Sequence, residues 1–266
     1  IYKINLKTGK LFWIKNHGIP LKSNIKIFNN NLYVVNQDNR ILCFDVSTGA
    51  KKWDVRSISS FIKSQSFLSL AISTQGELLV LNSAGDLIKI QANNGRQIWT
   101  LNTIKSVLTA GTDFFNSSDI VIDKGEIIFA AASSVFSYNL NNGYLNWNQD
   151  IDSTITPLID LNNVFVITTN GYLVNLEKKS GKILWSTNLL KNLKKKKQNT
   201  FFTGIVMGSG KIYAITHSGL LVVVSASKGK VERIKKVSYA AISTSPVISD
   251  GSLYILTEKP YILGFN

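Results

Sequence analysis

The stretch Asp45-Val46-Ser47-Thr48-Gly49-Ala50-Lys51-Lys52-Trp53 combines a strand end, a polar turn at Thr48-Gly49 and a tryptophan four positions after the glycine. All five tryptophans of the chain stand in that relation to a glycine: Gly9 and Trp13, Gly49 and Trp53, Gly95 and Trp99, Gly143 and Trp147, Gly181 and Trp185. A sixth glycine, Gly229, has Arg233 at the same distance. The six glycines are 40, 46, 48, 38 and 48 residues apart, so the chain is built of repeats.

Upstream of each glycine lies an alternating segment such as RILCFDV (40–46), DLIKIQ (86–91) or YLVNLE (172–177). Before most of these comes a second apolar run, including NLYVV (31–35), ELLVL (77–81), NVFVI (163–167) and KIYAI (211–215). A third precedes several units, as in ITPLID (155–160). Period-two alternation and β-branched or aromatic residues predict strands. Asn170-Gly171 and Ser218-Gly219 predict hairpin turns between second and third strands. The glycine of each repeat marks the next turn, where it takes positive φ without steric cost while the preceding Thr, Asn or Ser bonds to nearby backbone.

Four strands in roughly 40–45 residues, repeated, predict an all-β propeller of four-stranded antiparallel blades. The reading is one propeller domain over 1–266. It has a partial blade at 1–16, blades at about 20–56, 66–102, 107–150, 153–189 and 201–237, and a final partial blade at 241–266. That is about six blades' worth of a ring expected to have seven or eight. The +4 tryptophan falls on the fourth strand, where a flat ring fills the wedge between splaying blades and its N–H reaches a backbone acceptor. Arg233 at that position implies that its junction closes another way.

The composition narrows the function classes. The formal charge of +14 favours an anionic partner, and the densest run, Lys194–Lys197, is a candidate contact for an anionic membrane surface. No aromatics interleave with it, so no specific nucleic acid is expected. The lone Cys43 lies in an apolar alternation and reads as a buried thiol; it forms no intrachain disulfide or cysteine metal cluster. His17 and His217 are the only histidines, and His217 sits at a hairpin position. No P-loop, Gly-x-Ser-x-Gly or acidic calcium loop appears. No catalytic residue, metal or cofactor is assigned, and the chain reads as a non-enzyme. Ile1 opens inside a predicted strand, which sets the expectation that further chain precedes it.

The pattern of alternating strand, Asp or Asn, Thr-Gly-Lys and Trp, clearest in DVSTGAKKW, LKTGKLFW and KKSGKILW, resembles the pyrroloquinoline quinone (PQQ)-type propeller repeat. Within that superfamily the last third, from ILWSTNLLKNL (183–193) to PYILGFN (260–266), is similar to the BamB family, the propeller lipoproteins of the outer-membrane β-barrel assembly machine. The resemblance implies an eight-bladed, monomeric periplasmic scaffold, held at the outer membrane by an N-terminal lipid and bound to the barrel-inserting subunit. It also places partner-binding residues in two loops. Ile62 and Lys63 of SSFIKSQ stand for an apolar–basic pair, and Asp119 of TDFFNSSD for one acid of an Asp-x-Asp pair whose other position is Ser117. The alternative is a degenerate PQQ-binding or other small-ligand-binding propeller. The quinoprotein alcohol oxidisers of that superfamily use adjacent cysteines, which a single cysteine excludes here.

Overall fold

The computed structural model describes residues 1–57, 67–104, 116–191 and 200–266. Strands are its regular element, and no helix occurs among the described residues. Two compact units are formed, one of Ile1–Gly125 with Leu140–Gly143, the other of Glu126–Asn139 with Tyr144–Asn266.

In the first unit, β1 (Tyr2–Ile4) and β2 (Leu11–Ile14) form a hairpin. β3 (Lys26–Phe28), β4 (Asn31–Val35), β5 (Arg40–Asp45) and β6 (Lys51–Arg56) form an antiparallel meander. A second meander joins β7 (Ser69–Ile72), β8 (Glu77–Leu81), β9 (Asp86–Gln91) and β10 (Gln97–Asn102), and β11 (Val121–Asp123) follows. The second unit pairs β12 (Glu126–Ala131), β13 (Ser134–Asn139) and β14 (Leu145–Gln149). Then come the four-stranded sheet β15 (Leu158–Asp160), β16 (Asn163–Ile167), β17 (Tyr172–Glu177) and β18 (Ile183–Asn188), and the sheet β19 (Phe202–Gly208), β20 (Lys211–Thr216), β21 (Leu220–Ser225) and β22 (Val231–Lys236). The last sheet holds β23 (Val247–Ser249), β24 (Ser252–Leu256) and β25 (Ile262–Phe265).

Successive sheets of a unit meet along their first strands, β3 with β7 and β7 with β11 in one, β15 with β19 and β19 with β23 in the other. That is the arrangement of propeller blades, the fold class expected from the repeats. A sheet packed on both faces, such as β15–β18 between β12–β14 and β19–β22, has apolar runs rather than alternations in its middle strands, whereas β24 of the last sheet alternates. Tyr33, Val35, Ile41 and Cys43 of one blade interlock with Leu78, Val80, Ile88 and Ile90 of the next. Phe165 and Leu173 do the same with Ile212 and Val222. Burial pushes the Cys43 thiol up to about 11, which keeps it protonated and unreactive.

The repeat turn is built as its residues dictate. Asp45 Oδ1 accepts from the backbone N–H of Ser47 (2.9 Å) and Thr48 (3.0 Å), and Gly49 N–H closes onto Asp45 O at 2.8 Å. The backbone N–H of Thr48 first and the Lys52 ammonium next, with the Ser47 N–H, hold the Asp45 carboxyl below the usual carboxylate range. Asn5 does the same for Lys7 and Thr8.

Every fourth strand then carries a β-bulge next to its tryptophan. Trp53 pairs with Cys43 and Lys51 with Phe44, leaving Lys52 without a partner position. Trp13, Trp99, Trp147 and Trp185 follow the same rule, and so does Arg233. An extra residue reverses the facing of the rest of the strand, so the bulge turns each position toward the adjacent blade. There each indole lies on the turn glycine of the following repeat: Trp13 on Gly49, Trp53 on Gly95, Trp99 on Gly143, Trp147 on Gly181 and Trp185 on Gly229. Three indoles donate to backbone carbonyls, Trp13 to Val46 (3.1 Å), Trp53 to Ala92 (3.1 Å) and Trp147 to Lys178 (2.7 Å). The expected acceptor is lacking for Trp99 and Trp185, whose buried Nε1 atoms have no partner among the described residues.

The glycine therefore serves the previous repeat's tryptophan as well as its own turn. A Cβ on Gly181, at φ +71°, would lie 2.6 Å from the Trp147 ring, whereas one on Gly210, also at φ +71°, meets nothing within 4 Å. Gly210→Ala carries only the left-handed backbone cost of about 1–2 kcal/mol. Gly181→Ala adds an overpacking cost of about 1–3 kcal/mol. Thermal melts of the two variants measure the difference, and equal melting temperatures would show that the ring does not depend on the missing Cβ.

Candidate functional site

In an antiparallel meander the second-to-third turns and the connections to the next blade leave from one end of the sheet. In the first unit that end rests on a buried polar network. Asn39 Nδ2 donates to Ser83 Oγ at 2.8 Å, and Ser83 N–H returns a bond to Asn39 Oδ1 at 3.3 Å, which links neighbouring turns. Asn82 Nδ2 donates to Asp86 Oδ2 (3.1 Å) and Ser57 Oγ (3.4 Å), and Ser57 Oγ donates to Asn39 O (3.0 Å). Asn102 Nδ2 donates to Asp86 Oδ1 at 2.7 Å, and Thr103 Oγ1 to Gly85 O at 2.8 Å. Asn39 and Asn82 are 2% and 0% exposed, so these amides have exchanged water for protein partners. The network fixes the chain where it enters 58–66 (at Ser57) and 105–115 (at Thr103). In the sequence neither asparagine stands out. A recurring position could have marked Asn82: the side chains of Asn36, Asn82, Thr168 and Thr216 each accept from the N–H four residues on.

Of the three residues proposed to bind a partner, Ile62 and Lys63 lie outside the described residues, as do Lys194–Lys197. Asp119 is exposed between two buried anchors, Ser118 and Ile120. Ser118 Oγ donates to Asp119 O at 3.0 Å, and Ile120 N–H donates to Ser69 Oγ at 2.7 Å. The carboxylate thus projects from a fixed backbone at the same end as the network. Its neighbour Ser117 is half-buried.

The same end of the second unit is tied differently. Asp152 accepts from Thr169 through both backbone (3.0 Å) and hydroxyl (2.7 Å). His217 stacks on Phe201, with centroids 4.8 Å apart, and its Nδ1 lies 3.1 Å from Ile242 O. His17 packs against Phe44 at 4.3 Å, and burial together with the cationic N-terminus and lysines holds its pKa below the ordinary histidine value. Both imidazoles are held by packing, and no carboxylate is bonded to either among the described residues. No group of three or more His, Cys, Asp or Glu is placed to hold a metal among the described residues. What this end offers is a set of loop bases on rigid strands, an arrangement suited to recognising another surface.

Known proteins resemble this chain in sequence and in fold. The outer membrane protein assembly factor BamB of Moranella endobia (strain PCIT) is 22% identical over 287 residues, with 99% of this chain and 69% of that protein covered. Among the assembly-factor relatives it matches, the chain spans from 45% to 69% of their lengths. Among solved structures, BamB from Moraxella catarrhalis aligns with a TM-score of 0.56 at 13% identity, covering 96% of this chain and 88% of the other. The quinohemoprotein alcohol dehydrogenase of Comamonas testosteroni aligns with a TM-score of 0.64 at 15% identity, covering 83% of this chain and 43% of the enzyme, a likeness of fold alone. A family model described as outer membrane protein assembly factor BamB matches residues 1–187 and 68–266, which together take in the whole chain, and the chain belongs to that family of PQQ-like propellers.

Proposed function

We propose that this protein is a non-catalytic scaffold in the assembly of outer-membrane β-barrel proteins. It acts at the periplasmic face of that membrane, is held there by an N-terminal lipid, and presents its loop end to the barrel-inserting subunit. The observation that carries the reading is the family match over the whole chain. The buried network at Ser57 and Thr103 supports it, because a docking surface gains affinity when the residues at its base are already ordered. Asp119, fixed between Ser118 and Ile120, provides one anionic contact, and Ile62 with Lys63 provides the apolar and basic partners.

The test is a binding measurement between this chain and the periplasmic domains of a barrel-inserting subunit. The triple variant Ile62→Ala, Lys63→Ala, Asp119→Ala is expected to bind at least about tenfold more weakly, a loss of about 1.4 kcal/mol or more. Unchanged affinity removes the loop assignment. Absence of any association for the parent protein removes the scaffold reading itself.

A further inference from the structure

The junction between the complete blades β15–β18 and β19–β22 encloses a crevice of about 480 Å³, within the usual size of ligand pockets. It lies beside the first-to-second turns, at the end of the blades away from the loop bases. The matching crevice of the first unit, between β3–β6 and β7–β10, is only about 190 Å³. Asp160 pairs with Asn163 as Phe28 pairs with Asn31, so the two side chains hold the same place in their blades. A Cβ on Gly76 would come within 2.7 Å of the Phe28 ring, whereas one on the matching Gly210 meets nothing within 4 Å. The ring that fills one junction is replaced at the other by a carboxylate.

The larger crevice holds a buried donor and a buried acceptor, both unused. Trp13, Trp53 and Trp147 donate to the carbonyl three residues before the glycine they cover, and at Trp99 that carbonyl, Leu140 O, is taken by Lys89. Trp185 covers Gly229, which makes Ala226 its counterpart, yet Trp185 Nε1 has no partner among the described residues. Asn175, 4% exposed, stands opposite Trp185 in the ladder. Its Nδ2 donates to Asn163 Oδ1 at 3.0 Å, and its own Oδ1 has no partner among the described residues. A hydroxyl accepts and donates at once, so a single one can serve both atoms. Asp160, the one charged side chain of the lining, can accept from further hydroxyls, and Phe165 and Met207 add apolar surface. An anion would meet Asp160, and a cation would meet Lys228, next to the lining Ser227, and a net charge of +14. Neighbouring hydroxyls on an uncharged frame with an apolar face describe a sugar ring. We propose that this crevice binds a neutral monosaccharide unit, with one hydroxyl between Trp185 Nε1 and Asn175 Oδ1, another on Asp160, and its C–H face on Phe165 and Met207. The site is independent of the scaffold reading.

The test follows the indole N–H signals of the nitrogen-labelled chain by NMR, one for each of its five tryptophans, during titration with glucose, galactose, mannose and N-acetylglucosamine. Trp185→Phe deletes, and so assigns, the signal of interest. At least one of these sugars is expected to move the Trp185 signal saturably, with a Kd of about 1 mM or below, while the bonded indoles of Trp13, Trp53 and Trp147 stay in place. The cationic amino form and the anionic phosphate form of that sugar are expected to bind at least about threefold more weakly. Asp160→Phe, which restores the filling that Phe28 gives, is expected to weaken binding at least about tenfold. The other four indole signals show whether that variant is folded, and the titration of the parent chain decides without it. Four results each overturn the proposal: no saturable shift with any of the sugars, equal shifts at the bonded indoles, equal affinity for a charged form, or parent affinity in a folded Asp160→Phe variant.

Discussion

Trp147→Ala is expected to lower the stability of the unit containing it by about 3–5 kcal/mol, the range for removing a buried aromatic side chain. Trp147 is 7% exposed and lies in the cluster formed by Ile128, Ala130, Val164 and Leu176. Its ring covers Gly181, and its N–H satisfies the Lys178 carbonyl at 2.7 Å. Truncation removes all three contributions, and the turn at Lys178–Gly181 is too tightly bonded to collapse into the space. Gly181 N–H is bonded to Glu177 O, and Lys178 N–H to Asn162 O, each at 2.8 Å. The measurement is urea or thermal unfolding followed by far-ultraviolet circular dichroism. A loss below about 1 kcal/mol would mean that the ring does not hold the junction. Phenylalanine substitutions separate the hydrogen bond from the packing. Trp147→Phe gives up a bonded N–H, whereas Trp99→Phe removes a buried N–H that has no partner among the described residues. The first is expected to cost about 1–2 kcal/mol more than the second.

Lys89→Met is expected to be nearly as damaging, at about 3 kcal/mol, because it strands a carboxylate. The Lys89 side chain is 4% exposed, and its ammonium lies 2.7 Å from Glu77 Oε1 and 2.9 Å from Leu140 O. With methionine in place, the Glu77 side chain, only 19% exposed, keeps its charge without the cation that compensates it. The pair itself contributes little relative to an apolar replacement, because both groups have already lost water. Lys89→Met combined with Glu77→Leu is therefore expected to return to within about 1 kcal/mol of the parent. If the double variant is as unstable as the single one, the damage lies in lost packing or in the bond to Leu140, and the stranded-charge account fails.

Lys89 also shows where reading the sequence stops. In DLIKIQ a lysine between two isoleucines looks like the solvent side of an alternation, yet β9 is buried on both faces. The carboxylate of Glu77 on the adjacent strand and the carbonyl of Leu140 together explain a charge in that place. The bulges are similar: nothing in the letters FW, IW or LW says that the residue before the tryptophan is skipped by the pairing register. Asn39 and Asn82 did not stand out in the sequence, because their bonds to Ser83 and Ser57 connect residues 44 and 25 positions apart. Arg233 stood out at once as the break in the tryptophan series, while its place opposite Val223, beyond the bulge, came from the pairing register.

By itself the sequence determined the repeat, the strand and turn chemistry, and the propeller class, because these depend on local periodicity and on backbone preferences of Gly, Asn, Asp and Thr. Its glycine–tryptophan spacing pointed to junctions between blades. The tertiary structure alone decided which glycine each tryptophan covers. The pair within Asp45–Trp53 belongs to two different contacts, Gly49 under Trp13 and Trp53 over Gly95. The reason is physical: a bulge of one residue reverses the facing of the fourth strand, and the partner surface comes from the next repeat, some forty residues on.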